Sequence, residues 1–177
     1  AMTLNAMHPD LLVVRHGASG AVNLLASKVN CAVLNAGDGR HEHPTQALLD
    51  ALTIRRAKGR IQRLTIAICG DIAHSRVARS TVRAFVLLGA KVTLVAPASL
   101  LPPSLIYSDT ADTRHEWPVS TSHHLDEVLG EVDVVYLLRM QHERMIAAFI
   151  SSVGEYALHF GLTPQRLAKL PHSFKLM

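Results

Sequence analysis

The segment Leu64-Thr65-Ile66-Ala67-Ile68-Cys69-Gly70-Asp71-Ile72-Ala73-His74-Ser75-Arg76-Val77-Ala78-Arg79-Ser80 decides the fold class of this 177-residue chain. Leu64 to Cys69 is an apolar run of strand length closed by Gly70, the pattern of a strand buried on both faces. Ser75 to Leu88 reads as a helix that stops at Gly89, and Lys91 to Val95 as the next strand. Strand, helix and strand in this order predict a parallel sheet, because parallel neighbours need a crossover connection. Towards the N-terminus, Leu11 to Arg15 and Ala32 to Asn35 read as short buried strands around a helical stretch at 21–28. Residues 44–58 form a long helix, and a boundary near Gly59 separates 1–58 from 59–177. Towards the C-terminus, Pro97, Pro102 and Pro103 mark a loop, and the polar stretch 104–121 yields no assignment. Leu125 to Leu129 is a short helix before strand Val132 to Leu138, and 149–160 and 164–170 read as helices. Thr163 is placed to cap the last of these and Pro164 occupies its first position. The expectation is an α/β protein of parallel sheets flanked by helices.

Composition narrows the function classes. With 49% hydrophobic residues the chain can build a real core. Cys31 and Cys69 sit in apolar runs without metal-like spacing, so they read as buried free thiols of a reducing cytoplasm. No apolar run approaches the roughly 20 residues of a membrane span, and Asn5, His8 and Asp10 interrupt the one candidate for a signal sequence. Arg55, Arg56, Lys58, Arg60 and Arg63 account for much of the net charge of +4. They cluster where a helix ends, where cations complement its dipole, and aromatic residues for base stacking are scarce. Neither a membrane nor a nucleic acid is expected as a partner.

The chemistry starts at His41-Glu42-His43-Pro44-Thr45-Gln46-Ala47-Leu48-Leu49-Asp50. Pro44 suits the first turn of a helix, which places His43 at an N-terminus where unpaired N–H groups and the dipole favour an anion or developing oxyanion. Gln46 lies three residues on, on the same helix face. On local chemistry alone this is equally a polar cap on an ordinary amphipathic helix. Arg76 and Arg79 fit solvated charges as well as ligand clamps, and Arg139 fits an ion-pair partner of Glu143. A zinc site from His41, His43 and His74 lacks recognisable ligand spacing, and Gly70-Asp71 lacks the further glycines of a dinucleotide turn.

Four segments taken together tip the balance: Val14-Arg15-His16-Gly17-Ala18-Ser19-Gly20-Ala21, His43-Pro44-Thr45-Gln46, His74-Ser75-Arg76-Val77-Ala78-Arg79-Ser80 and Arg139-Met140-Gln141-His142-Glu143-Arg144. In order and spacing they resemble the aspartate carbamoyltransferases, over nearly the whole chain. The resemblance implies carbamoyl transfer from carbamoyl phosphate to the amino group of L-aspartate, giving N-carbamoyl-L-aspartate and phosphate for pyrimidine synthesis, with no cofactor and no metal. It implies that Arg15, His43 and Gln46 line the carbamoyl phosphate pocket, with Arg15 and His43 polarising the carbonyl. It implies that Arg76, Arg139 and Gln141 bind aspartate, leaving Arg79, Glu143 and Arg144 as structural residues. Residues 1–58 would then be the end of a carbamoyl-phosphate domain with its connecting helix, and 59–177 most of a Rossmann-like aspartate domain. A homotrimer is implied, with regulatory chains or pathway enzymes as further possible partners.

The family's Ser-Thr-Arg-Thr-Arg phosphate segment, its Ser and Lys loop and its His-Pro-Gly-Pro loop are not found in these 177 residues. The chain is therefore expected to be an internal piece of such an enzyme, essentially inactive alone. The alternative is a non-catalytic module that binds dicarboxylates or mediates assembly. An ornithine carbamoyltransferase is disfavoured, because Arg139-Met140-Gln141 offers a cation to a second carboxylate where an ornithine site must accept a positive side chain.

Overall fold

The structure, a computed structural model, describes residues 1–102, 118–140, 153–168, 170 and 175–177. Among them the chain runs α1 (Met2–Ala6), β1 (Leu11–His16), α2 (Ala21–Ala26), β2 (Ala32–Asp38), α3 (Pro44–Lys58), β3 (Thr65–Cys69), α4 (Arg76–Leu87) and β4 (Lys91–Val95). Then follow β5 (Val119–Ser122), α5 (Leu125–Leu129), β6 (Val134–Leu137), α6 (Val153–Phe160), α7 (Pro164–Leu167) and β7 (Lys175–Leu176). Two sheets result: β1 beside β2, and a five-stranded sheet in the order β5-β4-β3-β6-β7. Every pairing is parallel, as the strand–helix–strand pattern requires.

The central strand β3 shows why the sequence folds this way. Ile66, Ala67 and Ile68 are fully buried, and successive side chains go to opposite faces. Ile66 and Ile68 join one core with Ile54 of α3 and Val82 and Phe85 of α4. Ala67 and Cys69 join another with Leu125 and Leu129 of α5 and Val135 of β6. Helices therefore cover both faces, which is why β3 carries no polar alternation. Helix α3 buries Ala47, Asp50, Ala51 and Ile54, an i, i+3, i+4, i+7 stripe facing α4. A carboxylate in that stripe breaks the apolar pattern.

The element boundaries differ from the sequence reading in a few places. Strand β5 lies in a stretch that gave no assignment. It is an edge strand whose Ser120 and Thr121 are exposed, so it carries little hydrophobic signal. Strand β2 continues past Asn35 to Asp38, because the β1–β2 register slips: Val14 faces Asn35, but His16 faces Asp38. Strand β6 ends at Leu137, although the Leu138 N–H still donates to the Cys69 carbonyl at 2.7 Å. Arg139 thus lies two residues past the end of the strand. Both cysteines are free, but Cys31 is only half-buried. No helix among the described residues is long and apolar enough to cross a membrane.

The strand order positions the site. From β3 the chain crosses to β4 on one side, while β6 lies on the other. The crevice between the carboxyl ends of β3 and β6 is a topological switch point, where open parallel sheets bind ligands. Gly70 and Asp71 leave β3 there, and Leu138 and Arg139 leave β6. Gly70 has φ +127°, and a Cβ on it would lie 2.6 Å from the Leu138 carbonyl oxygen, so glycine is what lets the two strand ends close up.

Candidate active site

His43 is the N-cap residue of α3, with Pro44 in the first turn. Its side chain does not cap the helix. Instead its backbone N–H donates to Ser80 Oγ of α4 at 2.8 Å, and its ring Nδ1 lies 3.2 Å from Thr45 Oγ1. Burial, followed by the positive charges of Arg76 and Arg15, holds its pKa below the ordinary histidine value of 6.5, while Asp50 pulls the other way. A histidine held neutral between two guanidinium groups can donate one hydrogen bond without adding a third positive charge.

The two arginines reach this point from different units. Arg15 is exposed on β1, where the register slip between β1 and β2 falls. A local bulge re-aims a side chain, and this one lies at the end of the strand pair nearest His43. Arg76 opens α4, is 6% exposed, and donates to the Gly39 carbonyl at 3.3 Å. Its guanidinium lies on Gly37, whose φ is +130° and whose missing Cβ would stand 2.8 Å from Arg76 Cζ. The first residue of α4 is thus seated on the end of β2 and the turn that follows it. Of the alternatives for Arg76, a solvated charge is excluded by its burial.

One turn into α3, Gln46 Nε2 donates to Asp50 Oδ1 at 2.9 Å. Arg139 is exposed after the carboxyl end of β6, across the switch point from Arg76. Gln141 lies outside the described residues, as do Glu143 and Arg144. The structure therefore gathers Arg15, His43 and Arg76 into one cluster, with Gln46 on the same helix and Arg139 on the neighbouring strand end.

Residues 1–56 match the family model of the aspartate/ornithine carbamoyltransferase carbamoyl-P binding domain, and residues 62–177 match that of the Asp/Orn binding domain. The chain belongs to the aspartate/ornithine carbamoyltransferase family. An aspartate carbamoyltransferase catalytic subunit of Cereibacter sphaeroides is 64% identical over 171 residues, which are 95% of this chain and 50% of that protein. The subunit of Sinorhizobium medicae is 55% identical over 167 residues, covering 94% of this chain and 50% of that protein. Among solved structures, Trypanosoma cruzi aspartate transcarbamoylase in complex with phosphate superposes with a TM-score of 0.82 at 34% identity, over 99% of this chain and 57% of that one. The same enzyme in complex with carbamoyl phosphate gives 0.80 at 31% identity, again over 99% and 57%. This carbamoyltransferase-family chain spans about half the length of the curated relatives it matches.

Several residues that shape this family member's site gave no sequence signal. Asp38 ends β2 almost fully buried, and its carboxylate accepts from the Gly20 N–H at 2.8 Å, at the start of α2. Burial alone would raise its pKa, but the Gly20 and Val22 N–H groups and His41 together hold it below the usual value. Ser80 and Tyr136 are likewise polar groups whose partners come from distant segments, so no local spacing reveals them. Among the described residues, the three donor atoms that come within 4.8 Å of one another belong to Asp38, His41 and Glu42, which include only one of the histidines weighed for zinc. That trio already has other partners, Gly20 on Asp38 and the Asn35 amide on Glu42 at 2.8 Å.

Proposed function

We propose that this chain supplies half of a carbamoyl phosphate site and most of an L-aspartate site, and that the reaction is carbamoyl transfer giving N-carbamoyl-L-aspartate and phosphate. The observation that carries the reading is the convergence of Arg15 and Arg76 on a neutral His43 at a helix N-terminus. Carbonyl attack builds negative charge on the carbamoyl oxygen. Arg15 and His43 donate to that oxygen, and donors fixed in place before the reaction lower the barrier most. In the tautomer that the reaction needs, the Thr45 hydroxyl, 3.2 Å from Nδ1, donates to it and the neutral ring carries its proton on Nε2, ready to donate. The aspartate nitrogen forms its bond to the carbamoyl carbon and loses a proton, while the C–O bond to phosphate breaks. Gln46 holds the carbamoyl amide.

Arg76 clamps one aspartate carboxylate, and Arg139 with Gln141 takes the other across the switch point. A guanidinium can meet a carboxylate with two parallel hydrogen bonds. Aspartate is favoured over ornithine because Arg139 repels a cationic side chain. Residues 1–58 form the end of the carbamoyl phosphate domain and 59–177 the aspartate domain of a cytoplasmic, trimeric enzyme. The relatives' names, and the carbamoyl phosphate and aspartate bound to the Trypanosoma cruzi enzyme, support the assignment of the two substrates.

The chain is tested alone and joined into the full-length Cereibacter relative in place of the 171 residues that it matches, with millimolar carbamoyl phosphate and either aspartate or ornithine. The expected result is near-background turnover alone, and aspartate-dependent product from the joined protein that vanishes in Arg139→Ala. A folded joined protein that makes no carbamoyl aspartate would leave the non-catalytic dicarboxylate-binding module as the reading.

A further inference from the structure

The apolar stripe of α3 contains one charged residue, Asp50, which is 5% exposed. A buried carboxylate is costly unless its oxygens are hydrogen-bonded. Both oxygens are: Oδ1 accepts from Gln46 Nε2 at 2.9 Å, and Oδ2 accepts from the Tyr136 hydroxyl at 2.7 Å. Tyr136 is 8% exposed, stands on β6 three residues before Arg139, and packs edge-on against Phe85 of α4. Burial and the adjacent Asp50 raise its pKa well above that of an ordinary phenol, so it stays a donor. Thr81 of α4 places its buried hydroxyl beside the same phenol. The result is a chain of polar groups running from β6 through the core to Gln46.

This chain fixes the sense of the Gln46 amide. A carboxylate oxygen only accepts, so the group facing Asp50 must be the NH2. The amide oxygen is then turned away from Asp50, on the same helix as His43, as an acceptor. The carbamoyl group of the proposed donor substrate ends in an NH2, whose need is an acceptor. With the Gln46 amide reversed, two NH2 groups would face each other.

Resting on the carbamoyl transfer reading, we infer that Asp50 and Tyr136 are positioning residues: they hold the Gln46 amide with its oxygen towards the carbamoyl NH2, and they couple that orientation to the strand that delivers Arg139. Removing the carboxylate frees the amide to rotate and to present either end. Asn at position 50 keeps the shape and can still accept from Gln46, but it can also flip, so part of the function returns. Tyr136→Phe leaves the Asp50–Gln46 bond in place while removing the link to β6, and its effect is smaller.

Two readouts test this. In the 177-residue chain labelled with nitrogen-15, the Gln46 side-chain NH2 is expected to exchange slowly with solvent, and Asp50→Ala is expected to bring it to the rate of an exposed glutamine. In the joined protein described above, Asp50→Ala is expected to raise the KM for carbamoyl phosphate about tenfold, the loss of one oriented hydrogen bond. Asp50→Asn should recover part of that. On a Gln46→Ala background, Asp50→Ala should change KM no further, because its action passes through the amide. Equal KM increases on both backgrounds would make Asp50 merely structural and overturn the inference, as would a Gln46 NH2 in the wild type that already exchanges like an exposed one. Absence of turnover in the joined wild-type protein would instead refute the carbamoyl transfer reading, and the amide exchange would still decide the orientation.

Discussion

Replacing Gly37 by alanine probes the seat of Arg76, and its cost divides into two parts. The backbone at Gly37 has φ +130°, a region that L side chains rarely adopt, and forcing alanine into it costs about 1–3 kcal/mol. The new methyl would also lie 2.8 Å from Arg76 Cζ and 3.0 Å from both terminal nitrogens. A flexible side-chain end could withdraw from such a contact. Arg76 is buried, however, and withdrawal breaks its bond to the Gly39 carbonyl, adding about 1 kcal/mol. The expected loss is about 3 kcal/mol in denaturant unfolding, falling by about 1 kcal/mol on an Arg76→Ala background, where nothing is left to collide with. An equal loss on both backgrounds would refute the idea that Gly37 is a platform for the guanidinium. In the joined protein the same substitution should raise the KM for aspartate more than that for carbamoyl phosphate.

The remaining expectations concern protons, thiols and the C-terminal helices. The folded state holds His43 below 6.5, so between its lowered pKa and 6.5 the unfolded chain binds more protons and stability falls on acidification. The unfolding midpoint of the wild type should therefore drop through this window more steeply than that of His43→Gln, and parallel curves would contradict it. Burial pushes the Cys69 thiol up to about 12. One alkylation, at half-buried Cys31, is expected by mass on the folded chain at pH 8, and prompt double labelling would contradict the burial of Cys69. Arg166 binds Asp126 through two nitrogens, at 3.0 and 2.7 Å, and donates to the Leu158 and Gly161 carbonyls at the end of α6. Because Asp126 is half in solvent, Arg166→Ala should cost only about 1 kcal/mol, and lysine should not restore it, as it lacks the fork.

The fold class was legible because the five-stranded sheet is buried on both faces. Ile66, Ala67 and Ile68 write that burial into the sequence, and Gly59 and Gly89 mark where the helices next to them stop. What was not legible lacks a periodic apolar signal: the exposed edge strand β5 and the two-residue β7. For the site, Arg15, His43 and Arg76 stood out as residues, but what binds them together did not. The seat of Arg76 depends on a glycine 39 positions earlier in sequence, and Gln46 is oriented by a tyrosine 90 positions away, by way of Asp50. Such contacts come from tertiary packing, so no local spacing encodes them. Asp50 offered one hint, a carboxylate within an apolar helical stripe, and breaks of that kind mark functional positions.

The proposed division of labour between Arg15, acting on the carbamoyl group, and Arg139, acting on aspartate, is tested most directly by the kinetics of Arg15→Ala and Arg139→Ala in the joined protein. Arg15→Ala is expected to lower kcat by about 100-fold or more, as the loss of a transition-state donor does. Arg139→Ala is expected to raise the KM for aspartate beyond the millimolar range, so that product is lost there, while leaving the binding of carbamoyl phosphate unchanged. Wild-type kinetics in Arg139→Ala, or an Arg15→Ala protein altered only in its affinity for aspartate, would contradict it.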